Sequence, residues 1–341
     1  MLIIGCDFHP TFEVIAMLDT ETGELQTRRL NHPNEAIEFY RSLAGRQVRI
    51  GLEATGNFRW FRRLVAELGF QFLLGNPQEI RASMPRNQRT DKRDAKGILR
   101  LLMEERFPTV WMLPTEDENL RALLLHRCRL VRLRTRVKNQ LDSMAKNEGL
   151  IGKRVWTRQG SQQLQAVPLA GWEQQRRDDL FELLIKLNQQ ILPLDKAVAE
   201  AAWAHPQARL LMTHPGVGPN VALAFVLAIG PWERFARGKY VASYLGLIPA
   251  EESSGSKRRL GKVSKQGNSM VRWLLVEAAS LAQRKDPAWH RQYVRLSLTK
   301  HHGVAKIAIA HKLAVRLYWM LRSGQNYEQV KERGSHARQS V

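Results

Sequence analysis

The chain divides into an α/β N-terminal part and a mainly helical remainder, and three features of the sequence predict this. Short apolar runs of strand length alternate with helical stretches up to Pro108, an apolar stripe at helical spacing then extends over about thirty residues, and later helices are separated by glycine-bearing turns. The first run, Leu2-Ile3-Ile4-Gly5-Cys6-Asp7, predicts strand one, and the alternating apolar residues from Phe12 to Leu18 predict its partner. Gln47 to Glu53 predicts a further strand, and Ala54-Thr55-Gly56 is a turn leading to a helix from about Phe58 to Leu68. After Thr90, the apolar Ile98, Leu101 and Leu102 keep helical period. From Glu116 to about Asn147, residues such as Leu120, Leu124, Cys128, Val131 and Leu141 form one stripe with arginines between, which predicts a long amphipathic helix. A second helix is expected from about Glu173 to Ala202, with Pro193 as a site for a kink or break. The segment from Ile151 to Gly171 reads as irregular. The two long helices are compatible equally with a dimerising coiled coil and with packing inside one subunit. Further helices are predicted over Asn220 to Ile229 and Val271 to Ala282.

Acidic residues are placed distinctively along this framework. Asp7 and Glu53 each close a predicted strand, and Asp91 and Asp94 lie three apart at a helix start, where both carboxylates share one face. Taken singly, each has a plainer explanation as a turn residue, a cap or a complement to the helix dipole. Their joint order favours a metal site instead. Hard Mg²⁺ prefers oxygen ligands, and two such ions about 3.5–4 Å apart stabilise both the attacking and leaving oxygens of a phosphoryl transfer.

Composition agrees with a phosphodiester substrate. The chain has 53 Lys+Arg against 32 Asp+Glu, a formal charge of +21 and a pI near 10.5, which implies a polyanionic partner, nucleic acid first among them. Hydrophobic residues make up 44%, and Cys6 and Cys128 are too few for a disulfide framework or a zinc site, so a folded protein in a reducing, cytoplasmic compartment is expected. Asp7 interrupts the first apolar run, and the longest such run, Val221 to Ile229, is too short to span a bilayer. No membrane association is expected.

The C-terminal part carries two elements suited to phosphate. In His214-Pro215-Gly216-Val217-Gly218-Pro219, a Gly-x-Gly between helices would let backbone N–H groups approach a phosphate, as helix-hairpin-helix DNA binders do, although a tight turn explains it equally well. Downstream, Ser253-Ser254-Gly255-Ser256-Lys257-Arg258-Arg259-Leu260-Gly261-Lys262 is a basic, serine-bearing loop, followed by Ser264-Lys265-Gln266-Gly267-Asn268. Lys257, Arg258, Arg259, Lys262 and Lys265 are candidates for gripping backbone phosphates, with the steep salt dependence this entails. Trp289, Tyr293, Tyr318 and Trp319 could stack on bases, but at helical spacing beside Leu317 and Leu321 such residues are more often core, and His301, His302 and His311 lack the companions of a metal site, so surface or phosphate contact is expected of them.

In this order, the motifs Gly5-Cys6-Asp7, Leu52-Glu53-Ala54-Thr55-Gly56, Thr90-Asp91-Lys92-Arg93-Asp94-Ala95, Pro215-Gly216-Val217-Gly218, Gly246-Leu247-Ile248-Pro249 and Ser254-Gly255-Ser256 resemble, over nearly the whole chain, the insertion-sequence transposases that join a RuvC-like DEDD domain to a C-terminal serine transposase domain, the bridge-RNA-guided recombinases. The resemblance implies a RuvC/RNase H-like domain over 1–108, a helical coiled-coil segment over 109–205 and a transposase domain over 206–331, and residues 332–341, polar and basic without periodicity, are expected to form a disordered tail. It implies that Asp7, Glu53, Asp91 and Asp94 hold Mg²⁺ and that Ser254 attacks DNA to form a phosphoserine link, with Ser253 and Ser256 as close alternatives. A serine hydroxyl needs activation, so the 254 loop is expected to act together with the acidic cluster. The implied partners are donor and target DNA, a guide RNA of the element, and further copies of the chain in a homodimer or tetramer.

Two rival readings make different predictions. A metal-dependent junction-resolving nuclease would use the same four acids with water as nucleophile and leave free ends. A non-catalytic nucleic-acid-binding scaffold would be indifferent to Asp7→Asn or Ser254→Ala.

Overall fold

The computed structural model describes residues 1–84, 90–150, 155–251 and 259–336. The described chain forms two compact units, Met1–Met112 and Leu113 to the C-terminal end, each with its own packing.

The first unit is built on a five-stranded sheet. Strands β1 (Leu2–Phe8), β2 (Phe12–Asp19) and β3 (Leu25–Asn31) form an antiparallel meander; β4 (Val48–Glu53) then pairs parallel to β1, and β5 (Gln71–Gly75) parallel to β4. The order is β3-β2-β1-β4-β5, consistent with a RuvC-like fold. Helices α1 (Asn34–Ser42) and α2 (Arg59–Glu67) supply the crossover connections that parallel pairing requires. Short α3 (Pro77–Ala82) follows β5, and α4 (Asp91–Met103) packs on the sheet against β1.

Each sheet face has its own core. Leu2, Ile4, Cys6 and Phe8 alternate onto one face with Ile50, Leu52, Tyr40 and Phe61. Ile3, Val14 and Ala16 meet Ala95, Ile98, Leu99 and Leu102 of α4 on the other. Gly5 allows the close approach of α4, since a Cβ there would lie 2.3 Å from Leu99 N and 2.4 Å from Ala95 O. Beneath the first face, Glu13 is fully buried; the Cys6 thiol donates to it at 3.1 Å, and burial followed by this carboxylate pushes the Cys6 thiol well above its ordinary pKa. Both cysteines are free and buried.

The second unit is mainly helical. The long helix α5 (Glu118–Asn147) begins after a 3₁₀ turn and packs along α7 (Gly171–Ala204), with Val137, Leu141 and Met144 facing Leu180, Leu184, Leu187 and Ile191. The two stripes therefore meet within one chain. Pro193 lies inside α7 without ending it, and the span expected to be irregular contains α6 (Arg158–Gln165). Pro has no N–H and disfavours an interior position, but α7 runs on over three further turns beyond it, through Val198 and Ala202, which are fully buried.

Then come α8 (Pro206–Leu211), the apolar α9 (Pro219–Ile229) and α10 (Gly238–Tyr244), a two-stranded hairpin of β6 (Pro249–Glu251) and β7 (Leu260–Val263), and helices α11 (Ser269–Lys285), α12 (Pro287–Ser297), α13 (His302–Ser323) and α14 (Tyr327–His336). The start of the segment expected to be disordered thus belongs to α14; residues 337–341 lie outside the described part. Trp289 and Tyr318 are core residues, with Trp289 Nε1–H donating to Tyr327 OH at 3.1 Å and Tyr318 OH donating to Phe235 O at 2.7 Å. Trp319 is exposed. Among the described residues no helix is long and apolar enough to cross a membrane.

Candidate active site

In the first unit, parallel pairing of β1 with β4 places Cys6 beside Leu52, so the next residues, Asp7 and Glu53, emerge side by side at the carboxyl ends of adjacent strands. Asp91 opens α4 and Asp94 follows one turn on; Thr90 caps the helix, its hydroxyl accepting from Arg93 N–H at 3.4 Å. Because α4 lies close over Gly5, its first turn reaches the end of β1. All four carboxylates line one cleft of about 390 Å³, together with His9, Thr55 and Arg81.

The side chains in this cleft interact. His9 Nε2 lies 3.3 Å from Asp7 Oδ2 and 3.7 Å from Asp91 Oδ1, and ligand atoms of the three residues lie within 4.8 Å of one another. The His9 ring is stacked on Phe12 with centroids 4.6 Å apart, which fixes its plane. Arg81 of α3 donates to Glu53 Oε1 at 3.2 Å. Burial raises the pKa of Asp7; the His9 imidazole opposes this shift, while the Asp94 and Asp91 carboxylates reinforce it. A carboxylate held among other carboxylates gains from a cation placed between them.

In the second unit, two segments far apart in sequence join to form the base of the β6–β7 hairpin. Gly246, at φ +66, faces Gln266 so closely that a Cβ would lie 2.1 Å from Gln266 O, and a Cβ on Gly267, at φ +72, would lie 2.0 Å from Tyr244 O. The Arg272 guanidinium clamps the junction by donating to Leu245 O at 3.0 Å and Gln266 O at 2.8 Å, and Asn268 caps α11. Ser253, Ser254, Ser256, Lys257 and Arg258 lie outside the described residues. Arg259, Lys262 and Lys265 are described and exposed, and Lys265 adopts a φ of +55 that is rare for a residue with a side chain. Gly216 is explained by packing: at φ +88 it faces α11, and a Cβ would lie 2.5 Å from Ala282 N. Gly218 precedes α9 with open space before it.

Two family models match the chain in tandem, covering more than half of it between them. A DEDD transposase model matches residues 4–147, and the model described as transposase IS116/IS110/IS902 family matches residues 208–295. The chain belongs to this transposase family. Transposases of the IS110/IS116 kind cleave and transfer DNA, and the junction-resolving nuclease is accordingly not favoured. Among similar proteins are a probable family 20 transposase of Pseudomonas aeruginosa, 28% identical over 84% of this chain and 86% of its own length, and the transposase for insertion sequence element IS1111A of Coxiella burnetii, 25% identical over 95% and 91%. The transposase for IS1328 of Yersinia enterocolitica is 27% identical over 80% and 83%.

The DEDD match suggests a divalent metal, and the donor set of this transposase suits one: carboxylates from β1, β4 and α4 converge where Asp7 is disfavoured as an anion. His9 and Arg81 were not singled out from sequence. His9 had a signal, since side chains alternate along a strand and the second residue after Asp7 returns to its side. Arg81 had none, because its position depends on how α3 leaves β5.

Proposed function

We propose that this transposase cuts and rejoins DNA through a covalent serine–DNA intermediate, with Asp7, Glu53, Asp91 and Asp94 holding Mg²⁺ and Ser254 as nucleophile, guided by an RNA of its own element. The observation that supports it most is the gathering of the four acids, from three separate elements, in one cleft. When bound, Mg²⁺ would supply charge stabilisation at the phosphate oxygens. Ser254 Oγ forms a bond to phosphorus as the bond to one strand end breaks; the hydroxyl proton goes to solvent and the departing oxygen leaves as a strand-end hydroxyl. The ester retains the bond energy, so a second strand-end hydroxyl reverses the step with a new partner. This suits strand exchange and not degradation.

Lys257, Arg258, Arg259, Lys262 and Lys265 bind backbone phosphates in this reading, and Gly216 and Gly218 present backbone N–H groups. The charge of +21 suits both DNA and RNA, and the resemblance of the motifs is what points to a guide. Exchange between two duplexes requires several active sites, which supports a homodimer or tetramer.

The test is a denaturing gel of purified protein with Mg²⁺, labelled donor and target DNA, and RNA transcribed from the DNA flanking its gene. A covalent protein–DNA band that requires metal, Asp91 and Ser254 is expected. Cleavage without an adduct that survives Ser254→Ala would replace the serine with water, and an adduct that survives it would move the nucleophile to Ser253 or Ser256.

A further inference from the structure

Within the second unit, the hairpin and the N-terminal half of α13 enclose a cleft of about 710 Å³, within the range of about 300–1,000 Å³ usual for ligand sites. Its apolar lining comes from Leu247, Pro249 and Val263 on one side and Val304, Ile307 and Ala308 of α13 on the other. Four lysines also line it, Lys262, Lys265, Lys300 and Lys312, and no described lining residue is acidic. His301 Nδ1 accepts from Gly303 N–H at 3.2 Å, which leaves the proton of a neutral ring on Nε2; His311 Nδ1–H donates to Leu247 O at 3.2 Å, which leaves Nε2 as an acceptor. Val304 is 53% exposed in this lining.

A cationic rim over an apolar floor is not what intact duplex requires. Duplex presents phosphates and polar base edges, which lysines alone satisfy, whereas the face of a base is apolar and becomes available only when the base leaves the stack. We propose that the cleft receives one unstacked base of the DNA strand being processed, with its face against the Val263, Val304 and Ile307 side chains and the adjacent phosphates on the rim lysines. The inference rests on the reading above that the β6–β7 hairpin acts on DNA. Lys265, held at positive φ beside the Gly246–Gln266 contact, is presented at the rim by the same backbone that anchors the hairpin.

The test uses the full chain, with its element-derived RNA and Mg²⁺, on element-end DNA in which 2-aminopurine is moved one position at a time. A rise in fluorescence is expected at one position and not along the strand. Ala308→Leu fills the floor, and Val304→Glu, at an exposed position that folding does not depend on, places a carboxylate among the lysines; both should abolish the rise. Lys300→Gln should lower the slope of log affinity on log salt by about 0.9 for one lost phosphate contact. No rise at any position in wild type, or a rise undiminished in both floor variants, overturns the inference. The covalent adduct is read on the same samples. A wild-type fluorescence rise without adduct overturns the serine reading and leaves the cleft assignment in place, whereas adduct without any rise overturns the cleft assignment alone.

Discussion

Substituting Gly5 by alanine would test whether the approach of α4 to the sheet builds the acidic cleft. The added Cβ would lie 2.3 Å from Leu99 N and 2.4 Å from Ala95 O, and ordinary contact begins near 3.4 Å, so the helix backbone must retreat by about 1.1 Å. Gly51, its neighbour across the β1–β4 pair, provides the control: a Cβ there meets only Leu102 Cδ1 and Cδ2, at 2.8 and 2.9 Å, and a side chain yields by changing rotamer. Overpacking costs about 1–3 kcal/mol, with Gly5→Ala at the upper end because the obstacle is hydrogen-bonded backbone, and Gly51→Ala near the lower. For a unit of this size the larger cost corresponds to a melting shift of about 10 °C. Because α4 carries Asp91 and Asp94, a displacement of about 1 Å also misplaces two of the four carboxylates proposed to hold the metal, and on that reading a loss on the order of 10²-fold in strand cleavage is expected. Circular-dichroism melts, Mn²⁺ binding by electron paramagnetic resonance and adduct yield measure the three effects. If Gly5→Ala departs from wild type no further than Gly51→Ala in melting and metal binding, the reasoning fails.

Asp94→Asn relieves carboxylate repulsion on Asp7, so without metal it should melt slightly above wild type; in saturating Mg²⁺ it should lose most of the stabilisation, about 2.7 kcal/mol at a hundred times Kd, that wild type gains. Thermal melts with and without EDTA decide this. Burial pushes the His214 pKa down to about 4, against 6.5 in an unfolded chain. The unfolded state therefore binds more protons between these values, so stability is full above about 6.5 and falls by roughly 3 kcal/mol as the pH drops to about 4; urea unfolding across that range should show the decline, and a flat profile would contradict it. Tyr327→Phe removes the OH that donates to Asp286 Oδ2 at 2.7 Å and accepts from Trp289 Nε1, and should cost about 1–3 kcal/mol in denaturant titrations because both buried partners lose it. Gly267→Ala forces a Cβ to within 2.0 Å of Tyr244 O at a φ that alone disfavours alanine by about 1–2 kcal/mol; strand transfer should fall while metal binding, measured separately, persists.

Much of the architecture was legible because its signals are local. Strand-length apolar runs marked β1, β2 and β4, and the helical stripe marked α5 to within a residue or two. Asp7, Glu53, Asp91 and Asp94 could be nominated because each stands at a predicted boundary between a strand or helix and a loop, and the cleft does gather all four. Pro193 does not break α7, since the helix propensity of an isolated residue does not register the packing on either side of it. Aromatic spacing correctly pointed to the core for Trp289 and Tyr318, whereas the exposure of Trp319 depends on which face of α13 is left uncovered.

By itself, the sequence determined the types of the strongly periodic elements, β1, β2, β4, α5 and α7, together with the order of the acids along the chain and the cationic excess, because periodicity, capping and charge are properties of neighbouring residues. Only the tertiary structure decided the strand order that sets Asp7 beside Glu53, the approach of α4 at Gly5, the insertion of His9 between two carboxylates, and the joining of Tyr244–Gly246 to Gln266–Gly267 beneath the hairpin. Each of these depends on contacts between residues distant along the chain, where the deciding quantity is whether two surfaces fit at van der Waals distance, and no local pattern encodes that fit.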